Sequence, residues 1–386
     1  MKQFLLIGLL TAAAAALADE PKLPADKPEG KLELVATFAG PMPTGVTVSH
    51  KGRVFVNYPR WGDPVTFTVA EVKGGKELAY PNEAFATFDK ARPGETLVSV
   101  QSVVVDPADR LWILDTGSIE FGPVIPGGAK LVGVDLGSNA VVKTIPFPPD
   151  VALKTTYLND VRFDLRKGTA GVAYITDSSG NGPNGVIVVD LDTGKSRRRL
   201  HDHPSTKAVK DFLPVVEGRP VMERKPGQPP KHLSLGSDGI AISADGKHLY
   251  YCPLASRHLY RVPTDALLDE KATDEQVSKA VEDLGDRGFA SDGLETDDKG
   301  RIYLTDYEHN AVLRRTADGQ YETLVHDPRM LWPDTLSVAA DGHVYFTANQ
   351  LHRQARFHNG KDLREKPFAL FRVKIDAGPV LLRREK

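Results

Sequence analysis

The sequence holds a single cysteine, Cys252, and that scarcity sets the first limit. One thiol makes no internal disulfide, so a chain of 386 residues must be held together by its core. Cys252 stands in the apolar run LYYCPL and reads as a small buried hydrophobe rather than a reactive thiol. The short signatures of much enzyme chemistry are also missing: there is no HExxH, no CxxC or CxxCH, no Walker A loop and no GxSxG elbow. Charge of one sign is lacking, since 49 Lys and Arg face 51 Asp and Glu with no block of either. That balance excludes the basic surface by which proteins hold nucleic acid or anionic membranes. Nowhere does an apolar run reach the roughly 20 residues of a membrane-spanning helix.

The first residues, MKQFLLIGLLTAAAAALADE, combine a basic Lys2, a short apolar run from Phe4 to Leu10 and a small-residue stretch ending Ala16-Leu17-Ala18. This is the pattern of a secretory signal peptide over 1–18, with an A-x-A cleavage site. No cysteine follows it to carry a lipid, so the expectation is a secreted protein, free in a bacterial periplasm or in the medium.

Gly 34 and Pro 28 supply many turns, and the rest of the chain uses them in a repeat. SDGLETDDKGRIYLTD from Ser291 rewrites SDGIAISADGKHLYYCP from Ser237. Four further copies begin at Pro43, Val100, Leu158 and Pro333. Each copy has a polar residue, a short apolar strand, a turn and a second apolar strand, with the period-2 alternation of a hairpin. Measured from Thr44, Gln101, Asn159, Asp238, Asp292 and Asp334, the copies are 57, 58, 79, 54 and 42 residues apart. That is close to the length of a four-stranded blade with variable loops. The pattern predicts an all-β fold, a six-bladed β-propeller spanning 19–386 as one domain. LELVATF near residue 32 is expected to pair with FALFRVKID near residue 368 to close the ring. Residues 201–236, rich in Pro and Lys, read as an excursion with an extra hairpin across Glu217-Gly218. Residues 273–284 begin with a capping box, Thr273 and Gln276, and place Val277, Ala280, Val281 and Leu284 on one face of a short decorating helix.

In a propeller the first strand of each blade lines the central channel, so the six reference residues converge at one mouth. Two readings fit Asp and Asn there. Asp238-Gly239 and Asp292-Gly293 are ordinary turn dipeptides. Alternatively, converging carboxylates repel, and either rise in pKa or recruit a cation. Oxygen ligands without Cys or His favour a hard divalent ion, Ca²⁺ foremost. His201-Asp202-His203 reads as a solvated surface cluster, and the aromatics Tyr58, Trp61, Phe121, Tyr157, Tyr307 and Phe346 fall near strand ends. His309 and His352 follow inner hairpins, where either a channel-side base or an ordinary loop histidine is a fair reading.

The runs SVVVDPADRLWILDTG, LNDVRFD, SDGIAISADGKHLYYCPLASRHLYRVPT, DDKGRIYLTDYEHNAVLR and MLWPDTLSVAADGHVYFTANQLHR resemble the major royal jelly protein and yellow family in its bacterial branch. The resemblance implies a secreted six-bladed propeller, in agreement with the repeat. The family is similar in turn to the gluconolactonase, senescence marker protein and paraoxonase propellers, which hold a divalent cation at the channel mouth. Matched by position, that wider likeness implies metal ligands at Asn159, Asp238 and Asp292, with Asp292 as catalytic base. Thr44 departs from it, standing where a Glu is expected. Gln101, Asp334, His309 and Tyr157 are the expected ligand-binding residues. The resemblance implies either a lactone or ester hydrolase, or a dopachrome-type tautomerase, or a binder of small aromatic amines. Its partner is expected to be a small molecule, and the chain a monomer.

Overall fold

The computed structural model describes residues 27–384, so the leader read over 1–18 lies outside the described residues. Six four-stranded antiparallel sheets are arranged as blades. Their innermost strands are Val46–Val48, Val100–Val105, Leu158–Asp164, Ser237–Ile242, Leu294–Thr296 and Pro333–Ala339, one from each copy of the repeat. Blades pack face to face, so a middle strand is covered on both sides. Val172–Asp177 is accordingly buried along its whole length and loses the alternation of a half-exposed strand. Trp112 of the second blade stacks on Phe163 of the third at 5.4 Å between ring centroids, a pair worth about 0.5–1.5 kcal/mol beyond its area.

The ring closes as expected. Leu32–Phe38 pairs with Phe368–Lys374, with Leu32 opposite Val373 and Phe38 opposite Phe368, so both halves of the chain build the sixth blade. The repeated turns have a common chemistry. Asp106 accepts from Arg110 Nε and Trp112 Nε1, both at 2.8 Å. Asp297 likewise accepts from Arg301 Nε at 2.6 Å and the Tyr303 hydroxyl at 2.8 Å.

The excursion contains the expected hairpin, Val215–Val216 against Arg219–Pro220. The helix is shorter than its periodicity implies. It spans Asp274–Lys279, with both bonds of the Thr273/Gln276 capping box formed and Val277 buried. Leu284 belongs instead to the edge strand Glu282–Asp286 of the fourth blade, where Arg261 lies opposite Glu282 and their side chains pair at 2.7 Å. The unfilled edge of the blade thus takes the last residues of the apolar period.

Candidate functional site

Four of the six reference residues, Asn159, Asp238, Asp292 and Asp334, come together on the inner strands, and the backbone explains how. In the second, third, fourth and sixth blades the inner pair slips in register at Val100/Ser102, Leu158/Val161, Ser237/Ile240 and Pro333/Leu336. Each slip brackets a ring residue: Gln101, Asn159, Asp238 or Asp334. A bulge of this kind leaves one residue unpaired and re-aims its side chain, here toward the axis. The glycines of the Asp-Gly pairs have a different task from the turn geometry read in the sequence. Neither Gly239 nor Gly293 has a positive φ. A Cβ on Gly239 would lie 2.3 Å from the Asp292 carbonyl oxygen, and one on Gly293 2.4 Å from that of Asp334. Glycine is required because successive blades touch backbone to backbone at the axis.

Asn159 Nδ2 donates to Asp238 Oδ1 at 2.6 Å, and the Asp238 and Asp292 carboxyls face each other within hydrogen-bonding reach. Trp332 Nε1 donates to Asp292 Oδ2 at 2.7 Å, and Asn349 Nδ2 to Asp334 Oδ2 at 2.6 Å. Asp238, Asp292 and Asp334 are only 4%, 7% and 1% exposed, and no Lys or Arg pairs with any of them among the described residues. Burial, and then mutual repulsion, pushes Asp238 and Asp334 well above the usual carboxylate range. Burial, with a smaller push from the charge of Asp160, raises Asp292 to about 6 against the hydrogen bonds it makes with Trp332 and Asp238. Further along the same inner strands the arrangement differs. Arg162 pairs there with Asp160 at 2.9 Å and lies 3.4 Å from Glu295, so those buried acids have their cation.

Gln101 is held by Tyr157 rather than by the aspartates: the Tyr157 hydroxyl donates to Gln101 Oε1 at 3.2 Å and accepts from Trp61 Nε1 at 2.8 Å. Thr44 is fully buried and committed elsewhere, its hydroxyl accepting from Asn57 Nδ2 at 2.9 Å and directed at the Gln101 carbonyl. His309 is not brought to the ring. Its imidazole is 64% exposed, paired with Asp306 at 2.8 Å and raised in pKa by that bond. It borders a separate depression with Arg257, Asp286 and Glu308. In the His201-Asp202-His203 cluster, His201 accepts from Arg198, Asp202 pairs with Lys207, and His203 caps a 3-10 turn, as fits a surface cluster.

Sequence reasoning missed the lid over the ring. Trp332 has φ 56°, a left-handed conformation that a bulky side chain adopts at a cost of roughly 1–3 kcal/mol. It sits over Asp292, stacked on Tyr307 at 4.1 Å and alongside His352 at 5.8 Å. His352 Nε2 and Arg353 in turn hold Glu217, at the tip of the excursion hairpin. Trp332-Pro333, directly before a ring aspartate, was the available signal.

Among the described residues no three His, Cys, Asp or Glu side chains gather in a way that could hold a metal ion by themselves. Asn159, Asp238 and Asp292 bring two carboxylates and an amide to one place, and the amide, now turned with Nδ2 on Asp238, would present its carbonyl to a cation only after a flip. A cation held by these three would complete its six to eight oxygens with water. Hard donors in a buried, uncompensated cluster fit such an ion in charge and chemistry.

The family described as major royal jelly protein matches residues 98–379, most of the ring. The chain belongs to the major royal jelly protein family. Major royal jelly protein 7 of Apis mellifera is 27% identical over 61% of this chain and 51% of its own length. Protein yellow of Drosophila madeirensis is 26% identical over 74% and 51%. The chain thus spans about half the length of these curated relatives. Among solved structures, regucalcin of Agrobacterium tumefaciens, a calcium-binding protein, aligns with a TM-score of 0.52 at 15% identity, covering 89% of this chain and 95% of its own. A luciferin-regenerating enzyme aligns at 0.55 and 12%, covering 92% and 100%. A gluconolactonase of Xanthomonas campestris aligns at 0.50 and 13%, covering 89% of both. At these identities the structural likeness is one of fold.

Proposed function

We propose that this royal jelly and yellow-type propeller takes a small molecule at its channel mouth and hydrolyses a lactone or ester there, with Asn159, Asp238 and Asp292 holding a divalent cation, Ca²⁺ foremost. One observation carries the reading: three buried carboxylates converge with no cationic side chain to neutralise them, whereas the acids along the same strands have Arg162. The calcium binding named for regucalcin and the activity named for the gluconolactonase, on the same fold, support it. A bound cation would supply Lewis acidity toward a carbonyl oxygen. Asp292 can then take a proton from the attacking water, while Trp332 Nε1 fixes the carboxylate by holding Oδ2. Read as a signal peptide, residues 1–18 would carry this chemistry outside the cytoplasm.

A second reading, tautomerisation, is favoured by the same facing pair. Two carboxyls that share a proton provide an acid and a base side by side without a metal. The melting temperature of chelator-treated protein, titrated with Ca²⁺, Mg²⁺, Mn²⁺ and Zn²⁺, separates the two. A saturable rise, lost in Asp238→Ala and Asp292→Ala, is expected with lactone turnover that Asp292→Asn abolishes. No shift with any ion would leave the tautomerase reading.

A further inference from the structure

A cavity of about 580 Å³ opens beside the ring, on the side where Tyr157 stands. One wall is an aromatic stack, with Trp61 5.0 Å from Phe121 and Phe121 4.4 Å from Tyr157. Glu120 and Phe121 both have positive φ, 52° and 58°, so the Phe121 ring is set against Tyr157 by a strained turn. Strain of this kind persists only where the surroundings hold it.

Arg356 lies across this wall. Its guanidinium carbon is 5.1 Å from the Phe121 ring centre and 5.9 Å from that of Trp61. Nε and Nη2, the two nitrogens along one edge of the guanidinium, are buried and have no hydrogen-bond partner among the described residues. Neighbouring acids do not serve that edge. Asp63 and Asp362 are both bound by Arg364. Glu223 is near enough to favour the charge of Arg356 but forms its ion pair with Lys225, at 3.8 Å. A buried donor pair left unmade costs stability, and native structures tolerate few. Two parallel N–H groups on one guanidinium edge match the two oxygens of a carboxylate. The aromatic wall beside them accepts a planar ring, and the exposed Lys225 and Lys231 at the rim add positive potential.

We propose that this cavity binds a small aromatic carboxylate, its ring on the wall of Trp61, Phe121 and Tyr157 and its two oxygens on the Nε and Nη2 edge of Arg356, which is buried in this structure and is uncovered by a turn of the guanidinium as the contact forms. An aromatic amine would instead bring its ammonium against an unpaired guanidinium. Tyr157 of this wall is close enough to Asp238 and Asp334 to feel their charge, so the bound ring lies on the side of the axial cluster. The inference rests on the channel mouth taking a small molecule, and is independent of the cation and of the reaction.

Calorimetric titration in EDTA with indole-3-acetate and with tryptamine, which share a ring and differ in charge, tests it on the unaltered protein. Indole-3-acetate is expected to saturate one site at least about tenfold more tightly than tryptamine. Arg356→Met should weaken it at least about tenfold, and Arg356→Lys should recover only part, since an ammonium lacks the fork. If Arg356→Met does not fold, the ligand pair on the wild type decides alone. Equal or tighter binding of tryptamine, no binding of indole-3-acetate, or unchanged affinity in a folded Arg356→Met overturns the inference. A cation-induced rise in melting temperature without carboxylate binding would remove this inference alone. Carboxylate binding without any cation effect would leave it standing and remove the metal-dependent reading.

Discussion

Replacing Asp292 by Asn should stabilise the cation-free protein. In the chelated state the Asp292 carboxyl either carries a proton or stands as a charge almost wholly out of water. Its pKa of about 6, against the ordinary 3.8, means that the folded chain holds this proton more tightly than the unfolded chain does. The favourable contribution is therefore present below about pH 4, declines as pH rises toward about 6, and is absent above. At about 1.4 kcal/mol per pH unit the loss amounts to about 3 kcal/mol for this one group. Asn keeps the shape and keeps an acceptor for Trp332 Nε1, but has no charge to desolvate. In EDTA at pH 7.5, urea unfolding should thus show Asp292→Asn more stable than wild type by about 1–3 kcal/mol, and the two should coincide near pH 4. Saturating Ca²⁺ should reverse the order, because a ligand at 100 times its Kd adds about 2.7 kcal/mol to the wild type alone. A variant less stable than wild type in EDTA at pH 7.5 would refute the reasoning, since the carboxylate would then be compensated without a cation.

The hairpin over the mouth has its own pH signature. Arg353, then His352, hold Glu217 down to about 2 from the ordinary 4.5, so its stabilisation is present above pH 4.5 and lost as pH falls through about 2. At 34% exposure, solvent screening leaves about 1 kcal/mol of this, which Glu217→Gln should remove at pH 7 and not at pH 2, as read by thermal unfolding. Away from the site, Lys130 Nζ is buried 2.7 Å from Asp115. Lys130→Met should cost about 3–5 kcal/mol in urea unfolding, and adding Asp115→Asn should restore part of it, because the first change strands a buried charge.

The architecture was readable because a propeller writes its inner hairpin once per blade. Thr44, Gln101, Asn159, Asp238, Asp292 and Asp334 each stand at the same point of that unit, and the closing pair at residues 32 and 373 follows once the ring is assumed. Local signals failed where a distant partner decides. Leu284 obeys a helical period, yet the open edge of the fourth blade claims it. Trp332 meets Asp292 across 40 residues and Glu217 meets His352 across 135, so no window of sequence contains either contact. Arg356 was invisible for a related reason, since a missing partner is a property of everything folded around it. The Asp-Gly pairs stayed open to two readings, because a turn dipeptide and a glycine pressed against the next blade are spelled alike.

That pressing of glycine on carbonyl separates two properties of the axial cluster. The interval between the aspartates of the fourth, fifth and sixth blades is set by main-chain contact, at Gly239 on Asp292 and Gly293 on Asp334, and owes nothing to which side chains project inward. Ring side chains can therefore be exchanged to alter charge at constant aperture. A single methyl group at Gly239 or Gly293 would do the converse, forcing blades apart and changing the aperture at constant charge. Selection for a different ion or ligand can thus proceed along two independent axes, one written in the aspartates and the other in the residue that follows each.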